Sequence, residues 1–261
     1  MFNINLGGGD VIMKKNGIKE AWNNGQNIIN GWSSIANTFN AEIMAASGFD
    51  SITIDMQHGL VGYQKVVEML QAISGYNITP MVRVPWNDPS MVMRCLDAGA
   101  YGIICPMVNT KEECEKFVTS CRYPPKGNRS FGPIRARIYG GDDYFHHANE
   151  TLLNFAMIET SEAVDNLDKI LSVDELDAVY IGPSDLAVTM GYAPGTYQKE
   201  VEDCLIYIVE TCKSKNIKTG IHCPDGKTVK ERFDMGYDLG TISADAALLT
   251  QASKREIADA K

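Results

Sequence analysis

Residues 51–84 read SITIDMQHGLVGYQKVVEMLQAISGYNITPMVRV. Two short apolar runs, Ser51–Met56 and Thr79–Val84, flank a helix-length segment, Tyr63–Ile73, that stops before Gly75. Strand, helix and strand in that order make a βα unit whose two strands lie parallel. The pattern extends both ways. Further strands are predicted at Asn27–Trp32, Tyr101–Pro106, Leu153–Ile158, Asp177–Ile181, Ile217–His222 and Asp238–Ser243. The segments between them read as helices: Ala41–Ala46; Pro89–Ala98, with Asp88 as N-cap and Gly99 as stop; Thr110–Cys121, opened by a Thr110/Glu113 capping box; Ser161–Leu171, with Ser161 at the cap; Tyr197–Lys213; Thr228–Met235; and Ala246–Ala260. A short helix is expected around Ile18 to Asn24, within a polar, Gly/Asn-rich start.

Eight strands alternating with helices predict an α/β protein of the (β/α)8 or TIM-barrel type. Such a barrel takes about 250 residues, and this chain has 261, so one domain over 1–261 is the simplest division. Apolar residues at 44% supply the core, and 22% charged residues argue against disorder. One stretch departs from the rhythm. Residues 123–150, YPPKGNRSFGPIRARIYGGDDYFHHANE, far exceed the usual connection of about 2–6 residues, and read as a long loop insertion of the kind that forms lids or subunit contacts.

The formal charge of −9 speaks against nucleic acid or an anionic membrane as partner, since both need a basic face. An anionic substrate stays compatible, because a metal or one arginine reverses the sign locally. Seven cysteines, an odd number without C-x-x-C spacing, predict reduced thiols and a cytoplasmic protein. The start, MFNINLGGGDVIMKKNG, has no basic-then-apolar leader, and no run of about 18 apolar residues suggests a membrane span.

A (β/α)8 barrel does its chemistry at the C-terminal strand ends. There the sequence gathers Asp55, Gln57 and His58 after the second run, Arg83 at the third, Glu159 after the fifth, Ser184 and Asp185 after the sixth, His222 at the seventh, and Ser243 and Asp245 after the eighth. Any one of these has a bland explanation as a helix cap or packing residue; their convergence on one rim is harder to explain that way. Glu159 and Asp185 follow neighbouring strands, and two hard oxygen ligands with open positions suit Mg2+ or Mn2+. The IGPSDL turn offers free backbone N–H groups near Ser184 to a carboxylate. No predicted strand end carries a lysine, and Lys218 begins its strand at the opposite rim. Imine chemistry therefore lacks its nucleophile, and a metal is left to stabilise a developing enolate.

The segments GFDSITIDMQHG, VRVPWNDPSMVMRCLDAGAYGIICPMVNT, CRYPPKGNRSFGP, MIETSEAVDNLDKIL and VYIGPSDLAVTMGY resemble the HpcH/HpaI aldolases, metal-dependent pyruvate aldolases of the phosphoenolpyruvate/pyruvate superfamily. The resemblance runs from about Gly31 to Leu249. It implies cleavage of a 4-hydroxy-2-oxo acid to pyruvate and an aldehyde, and the reverse addition. It also implies Glu159 and Asp185 as metal ligands, with Co2+ a further candidate beside Mg2+ and Mn2+. His58 becomes the base, Arg83 the enolate-stabilising cation, Asp97 the acid that raises the basicity of the histidine, and Asp55 a fourth catalytic group. Ser184, Gly182, Gln57 and Trp32 become the substrate-binding set, and a homo-oligomer, a hexamer with a helix exchanged between subunits, is implied as well. Met157 departs from the family, standing where several members have a substrate-binding glutamine. The alternatives are a related metal-dependent lyase or decarboxylase acting on another 2-oxo acid or a CoA thioester, and a non-catalytic barrel that binds a 2-oxo acid.

Overall fold

The computed structural model describes residues 13–196 and 198–261. Its eight strands are β1 Ile28–Ser33, β2 Ser51–Asp55, β3 Thr79–Arg83, β4 Gly102–Cys105, β5 Leu153–Ile158, β6 Ala178–Ile181, β7 Lys218–Cys223 and β8 Leu239–Ile242. Each pairs in parallel with the next, and β8 returns to β1, so the sheet closes and has no edge. The predicted runs coincide with these strands to within about two residues.

Helices fill the intervals: α1 Gly17–Asn23, α2 Thr38–Ala46, α3 Tyr63–Ile73, α4 Pro89–Asp97, α5 Lys111–Cys121, α6 Ile134–Gly140, α7 Tyr144–Thr151, α8 Ser161–Asp165, α9 Leu167–Ile170, α10 Pro183–Thr189, α11 Lys199–Ser214, α12 Gly226–Asp234 and α13 Asp245–Asp259. The Thr110/Glu113 capping box forms as expected. The predicted helix Ser161–Leu171 is two short pieces, because Asn166 leaves helical geometry, and its cap is Thr160, whose side chain accepts from the Ala163 N–H. Of the predicted Tyr197–Lys213, Tyr197 lies outside the described residues. Among the described residues no helix is long and apolar enough to cross a membrane.

Strand side chains alternate between two apolar layers, as period-2 geometry requires. Ile52, Ile54, Val82, Ile103, Ala156, Val179 and Ile221 point outward into the layer beneath the helices. Ile28, Trp32, Met81, Ile104, Phe155, Met157, Tyr180 and Leu239 fill the barrel interior. Helix α1 seals the N-terminal end: Ile18 and Trp22 join the interior cluster, and Trp22 Nε1 donates to the Asp238 carbonyl at 3.2 Å. Asn16 fixes the entry to α1. Its Oδ1 accepts from the Ile18 N–H, while Nδ2 donates to the carbonyls of Tyr101 at 3.0 Å and Thr151 at 2.9 Å. Lys218 opens β7 at this same rim, paired with Asp238 at 2.7 Å.

Residues 123–150 depart from expectation. Half of the segment is helical, in α6 and α7, and it joins the end of α5 to the start of β5. In an αβ connection both ends lie at the N-terminal rim, away from the strand ends that carry chemistry. Arg135 donates to the carbonyls of Ala98 (2.5 Å) and Leu70 (3.1 Å) at the ends of α4 and α3, and Arg137 pairs with Asp142 at 3.0 Å. Within one chain this segment is therefore a basal brace rather than a lid.

Removing the plug should be costly. Trp22→Ala deletes a nearly buried indole and is expected to cost about 3 kcal/mol in urea unfolding. A loss below about 1 kcal/mol would show that α1 does not seal the barrel.

Candidate active site

At the other rim a cavity of about 340 Å³ is lined by Trp32, His58, Arg83, Met157, Tyr180, Gly182, Pro183, Ser184, Asp185, Gly195, His222, Cys223 and Pro224. Most strand-end groups that line it come from inward-facing positions or from the turn that follows, and Cys223, at the end of β7, belongs to the outer layer.

The central contact joins the tops of β2 and β3. Asp55 and Arg83 are register partners, so their side chains meet directly. Arg83 Nε donates to Asp55 Oδ1 at 2.8 Å and a terminal nitrogen, Nη2, to Oδ2 at 2.8 Å, a side-on bidentate pair. Both side chains are buried, 9% and 3% exposed. Burial alone raises the Asp55 carboxyl, but the hydrogen bonds and charge of Arg83, with the Gln57 N–H, hold its pKa below the usual carboxylate value. Asp55 also accepts from Trp32 Nε1 at 3.3 Å and from the backbone N–H groups of Gln57 (3.0 Å) and His58 (3.4 Å). One carboxylate therefore fixes an arginine, an indole and the turn that carries a histidine. That turn requires Gly59, since a Cβ there would sit 2.2 Å from the Asp55 carbonyl oxygen.

The strands β5 and β6 supply the carboxylates. Glu159 is buried, 2% exposed, and its Oε1 accepts from the Met107 N–H at 2.7 Å. Met107 presents that N–H from a left-handed backbone conformation, φ 54°, uncommon for a residue with a long side chain. Glu159 Oε2 faces Gly182, where a Cβ would come within 2.7 Å of it; only glycine allows this approach. Asp185 sits exposed in the first turn of α10. Burial pushes the Glu159 carboxyl up to about 7, with the charge of Asp185 adding to burial and the Met107 N–H and Arg83 opposing it. The first hydrogen bond within α10 runs from Leu186 N–H to the Gly182 carbonyl, so the N–H groups of Ser184 and Asp185 precede it.

An aromatic wall completes the cavity. Trp32 stacks on Tyr180 at 5.6 Å and meets the edge of His222 at 5.2 Å, while the Arg83 guanidinium lies 4.7 Å above the indole. Below, the Tyr180 hydroxyl donates to Thr241 Oγ1 at 2.7 Å, and Asn30 Nδ2 donates to Thr241 (2.9 Å) and Thr53 (3.1 Å), so the polar atoms of the barrel interior are satisfied.

The rim thus brings together His58, Arg83, Gly182, Ser184, Asp185 and Trp32, with Glu159 behind them. Three expected residues sit elsewhere. Asp55 is off the cavity wall and acts through the groups it holds. Gln57 does not line the cavity, and its Oε1 is buried without a partner. Within one chain Asp97 closes α4, a helix that runs away from the rim, and lies at the base of the barrel. There it accepts from Arg129 at 2.6 Å, so within one chain it is no partner for His58. Asp245, also at a strand end, is a brace for the β1–α2 connection, accepting from Ser33, Ser34, Ile35 and Asn40. Tyr180 and the Met107 N–H were missed by sequence reasoning. The period-2 register with Gly182 marks Tyr180 as inward-facing, whereas nothing in the sequence marks a backbone donor.

Comparison with known proteins agrees with this geometry. A family model described as HpcH/HpaI aldolase/citrate lyase matches residues 29–252. The hydroxypyruvate/pyruvate aldolase of Rhizorhabdus wittichii is 41% identical over 248 residues, covering 94% of this chain and 99% of that protein. The 4-hydroxy-2-oxo-heptane-1,7-dioate aldolase of Salmonella dublin is 35% identical over 243 residues, 92% of each. Among solved structures, an HpcH/HpaI aldolase/citrate lyase family protein from Burkholderia cenocepacia superposes with a TM-score of 0.85 at 28% identity, covering 90% of this chain and 94% of that one.

Breaking the central pair should be expensive whatever the rim does. Asp55→Asn turns one acceptor into a donor aimed at Arg83 and leaves a buried cation uncompensated. Urea unfolding should report a loss of about 3 kcal/mol, and an unchanged midpoint would show that the pair does not organise the rim.

Proposed function

Because the chain belongs to the HpcH/HpaI aldolase/citrate lyase family, we propose that its C-terminal rim is the active site of a divalent-metal-dependent pyruvate aldolase. It is an aldehyde-lyase: it cleaves the C3–C4 bond of a 4-hydroxy-2-oxo acid to give pyruvate and an aldehyde, and joins the two in the reverse direction. The observation that carries this reading is the carboxylate pair. Glu159 keeps one oxygen free of protein partners among the described residues, beside an exposed Asp185, and the two charges disfavour each other.

That donor set fits a hard divalent cation. Among the described residues no cluster of three or more His, Cys, Asp or Glu side chains forms a metal cage. Two protein oxygens therefore leave coordination positions for water and for a 2-oxo acid, as Mg2+ and Mn2+ prefer, with Co2+ a further candidate. Glu159 and Asp185 would hold the ion, which when bound supplies Lewis-acid stabilisation of an enolate oxygen.

The chain's own residues supply the rest. Asp55 engages Nε and Nη2 of Arg83, so its remaining nitrogen is held toward the cavity, where charge develops as the C3–C4 electrons move to the 2-oxo group. His58 lines the mouth with an exposed ring that has no protein partner among the described residues. It takes the proton of the C4 hydroxyl during cleavage and returns it in the reverse direction. The free N–H groups of Ser184 and Asp185 receive the substrate carboxylate. Met157, apolar where several family members carry a glutamine, offers no amide hydrogen bond. Trp32 and Tyr180 exclude water from the inner wall. Among the described residues no lysine lines the cavity, which supports enolate rather than imine chemistry. Among the described residues Arg83 is the sole lysine-or-arginine cation on its wall, which favours a small 2-oxo acid over a CoA thioester that needs a basic anchor for its phosphates.

The same reading extends to setting and assembly. All seven cysteines are free and six are buried, which supports a reducing cytoplasm. We take the protein to be a homo-oligomer, a hexamer in the family pattern, with α13 as the exchanged helix. In support, every residue of the chain from 250 onward is exposed, and α13 leaves Leu249 and Ile257 uncovered.

Glu159→Gln and Asp185→Asn should each lower pyruvate release from a 4-hydroxy-2-oxo acid on the order of a thousandfold. Excess chelator should abolish turnover by the unaltered enzyme, and added Mg2+ or Mn2+ should restore it. Full activity in either variant, or in chelator, would overturn the metal-dependent reading.

A further inference from the structure

One polar group on the cavity wall takes no part in the cleavage chemistry. His222 faces the cavity from β7, and its Nδ1 lies 3.4 Å from the Tyr180 hydroxyl. That hydroxyl has a single proton and gives it to Thr241 Oγ1. With the Tyr180 proton on Thr241 Oγ1, Nδ1 is the donor in this contact, and a neutral imidazole with its proton on Nδ1 carries a lone pair on Nε2. Burial, reinforced by the charge of Arg83 and opposed by Asp55, pushes the ring's pKa down to about 4, so the ring is neutral near pH 7. Nε2 has no protein partner among the described residues and is not among the buried unpartnered atoms, so it opens onto the cavity. Nor is the ring free to turn. The indole of Trp32 holds its edge at an interplanar angle of 86°, and Trp32 is itself stacked on Tyr180. Gly220, one pleat below His222, leaves room for Tyr180, since a Cβ there would lie 2.9 Å from Tyr180 Cδ2.

We propose that His222 is a specificity residue: its Nε2 accepts a hydrogen bond from a hydroxyl group of the substrate, so that hydroxylated substrates are favoured over their deoxy counterparts. An atom that can only accept has nothing to offer a carboxylate, so this part of the wall selects a hydroxyl rather than a second acid group. The hydroxyl has two sources, the donor (hydroxypyruvate in place of pyruvate) or the aldehyde (glycolaldehyde in place of acetaldehyde). The proposal rests on the lyase reading above.

The test compares kcat/KM ratios in the addition direction for the metal-loaded enzyme. The donor arm sets hydroxypyruvate against pyruvate with one fixed aldehyde. The acceptor arm sets glycolaldehyde against acetaldehyde with pyruvate. His222→Phe keeps an aromatic ring without the acceptor, and His222→Gln keeps an acceptor; circular dichroism checks folding, and His222→Leu replaces a misfolded Phe variant. In at least one arm the hydroxylated-to-deoxy ratio should fall about tenfold in the apolar variant and recover at least in part in His222→Gln, a rescue that a purely packing role would not give. Ratios unchanged in both arms, or a fall that His222→Gln does not reverse, would overturn the assignment. A wild-type enzyme inert toward pyruvate and acetaldehyde as well as toward the hydroxylated pairs would overturn the lyase reading, and this one with it.

Discussion

The pair between Asp55 and Arg83 is the contact on which the rest of the rim depends. Both residues end their strands, and the register of β2 against β3 makes them neighbours. A buried ion pair of this kind contributes little net stability compared with well-packed apolar residues, because desolvation offsets most of the attraction. What it supplies is orientation. The carboxylate uses its two oxygens to fix the guanidinium, the Trp32 indole and the turn bearing His58, and none of these could move alone without leaving a buried polar group unpaired. Only then does the spare donor of Arg83 point in a fixed direction, as preorganised charge stabilisation requires.

A second constraint works against the first. Glu159 is buried where its charge is disfavoured, and Asp185 makes that worse. Two carboxylates close together, one of them desolvated, are a poor way to stabilise a fold. They make physical sense as the protein ligands of the proposed metal ion, and the glycine at 182 lets Glu159 approach. The barrel tolerates both because its interior is otherwise satisfied, from the Tyr180–Thr241–Asn30 network in the middle to the Trp22 plug at the base.

Much of this is legible in the amino-acid sequence. Parallel strands buried on both faces leave continuous apolar runs, and the strand-end rule then points to His58, Arg83, Glu159 and Asp185. Asp97 comes only from family likeness; by the strand-end rule itself it belongs to a helix that leads away from the rim, and Arg129 holds it there. The helices of 123–150 escape a sequence reading because each is short, broken from the next at Gly140–Gly141, and buries only small or polar-tipped residues such as Ala136, Tyr144 and Ala148, while Arg129 and Arg135 add anchors to Asp97 and to helix-end carbonyls. Helix Ser161–Leu171 looks continuous because its apolar period survives the break at Asn166. The tautomer of His222 depends on a hydroxyl 42 residues away, which no local pattern records.

The central claim is that this rim makes and holds a pyruvate enolate without any lysine. Proton NMR of pyruvate in D2O tests it without knowledge of the aldehyde. With Mg2+ or Mn2+ the enzyme should exchange the methyl protons for deuterium, and chelator or Glu159→Gln should stop the exchange. Exchange at the full rate in chelator, or no exchange with any divalent metal, would contradict the account.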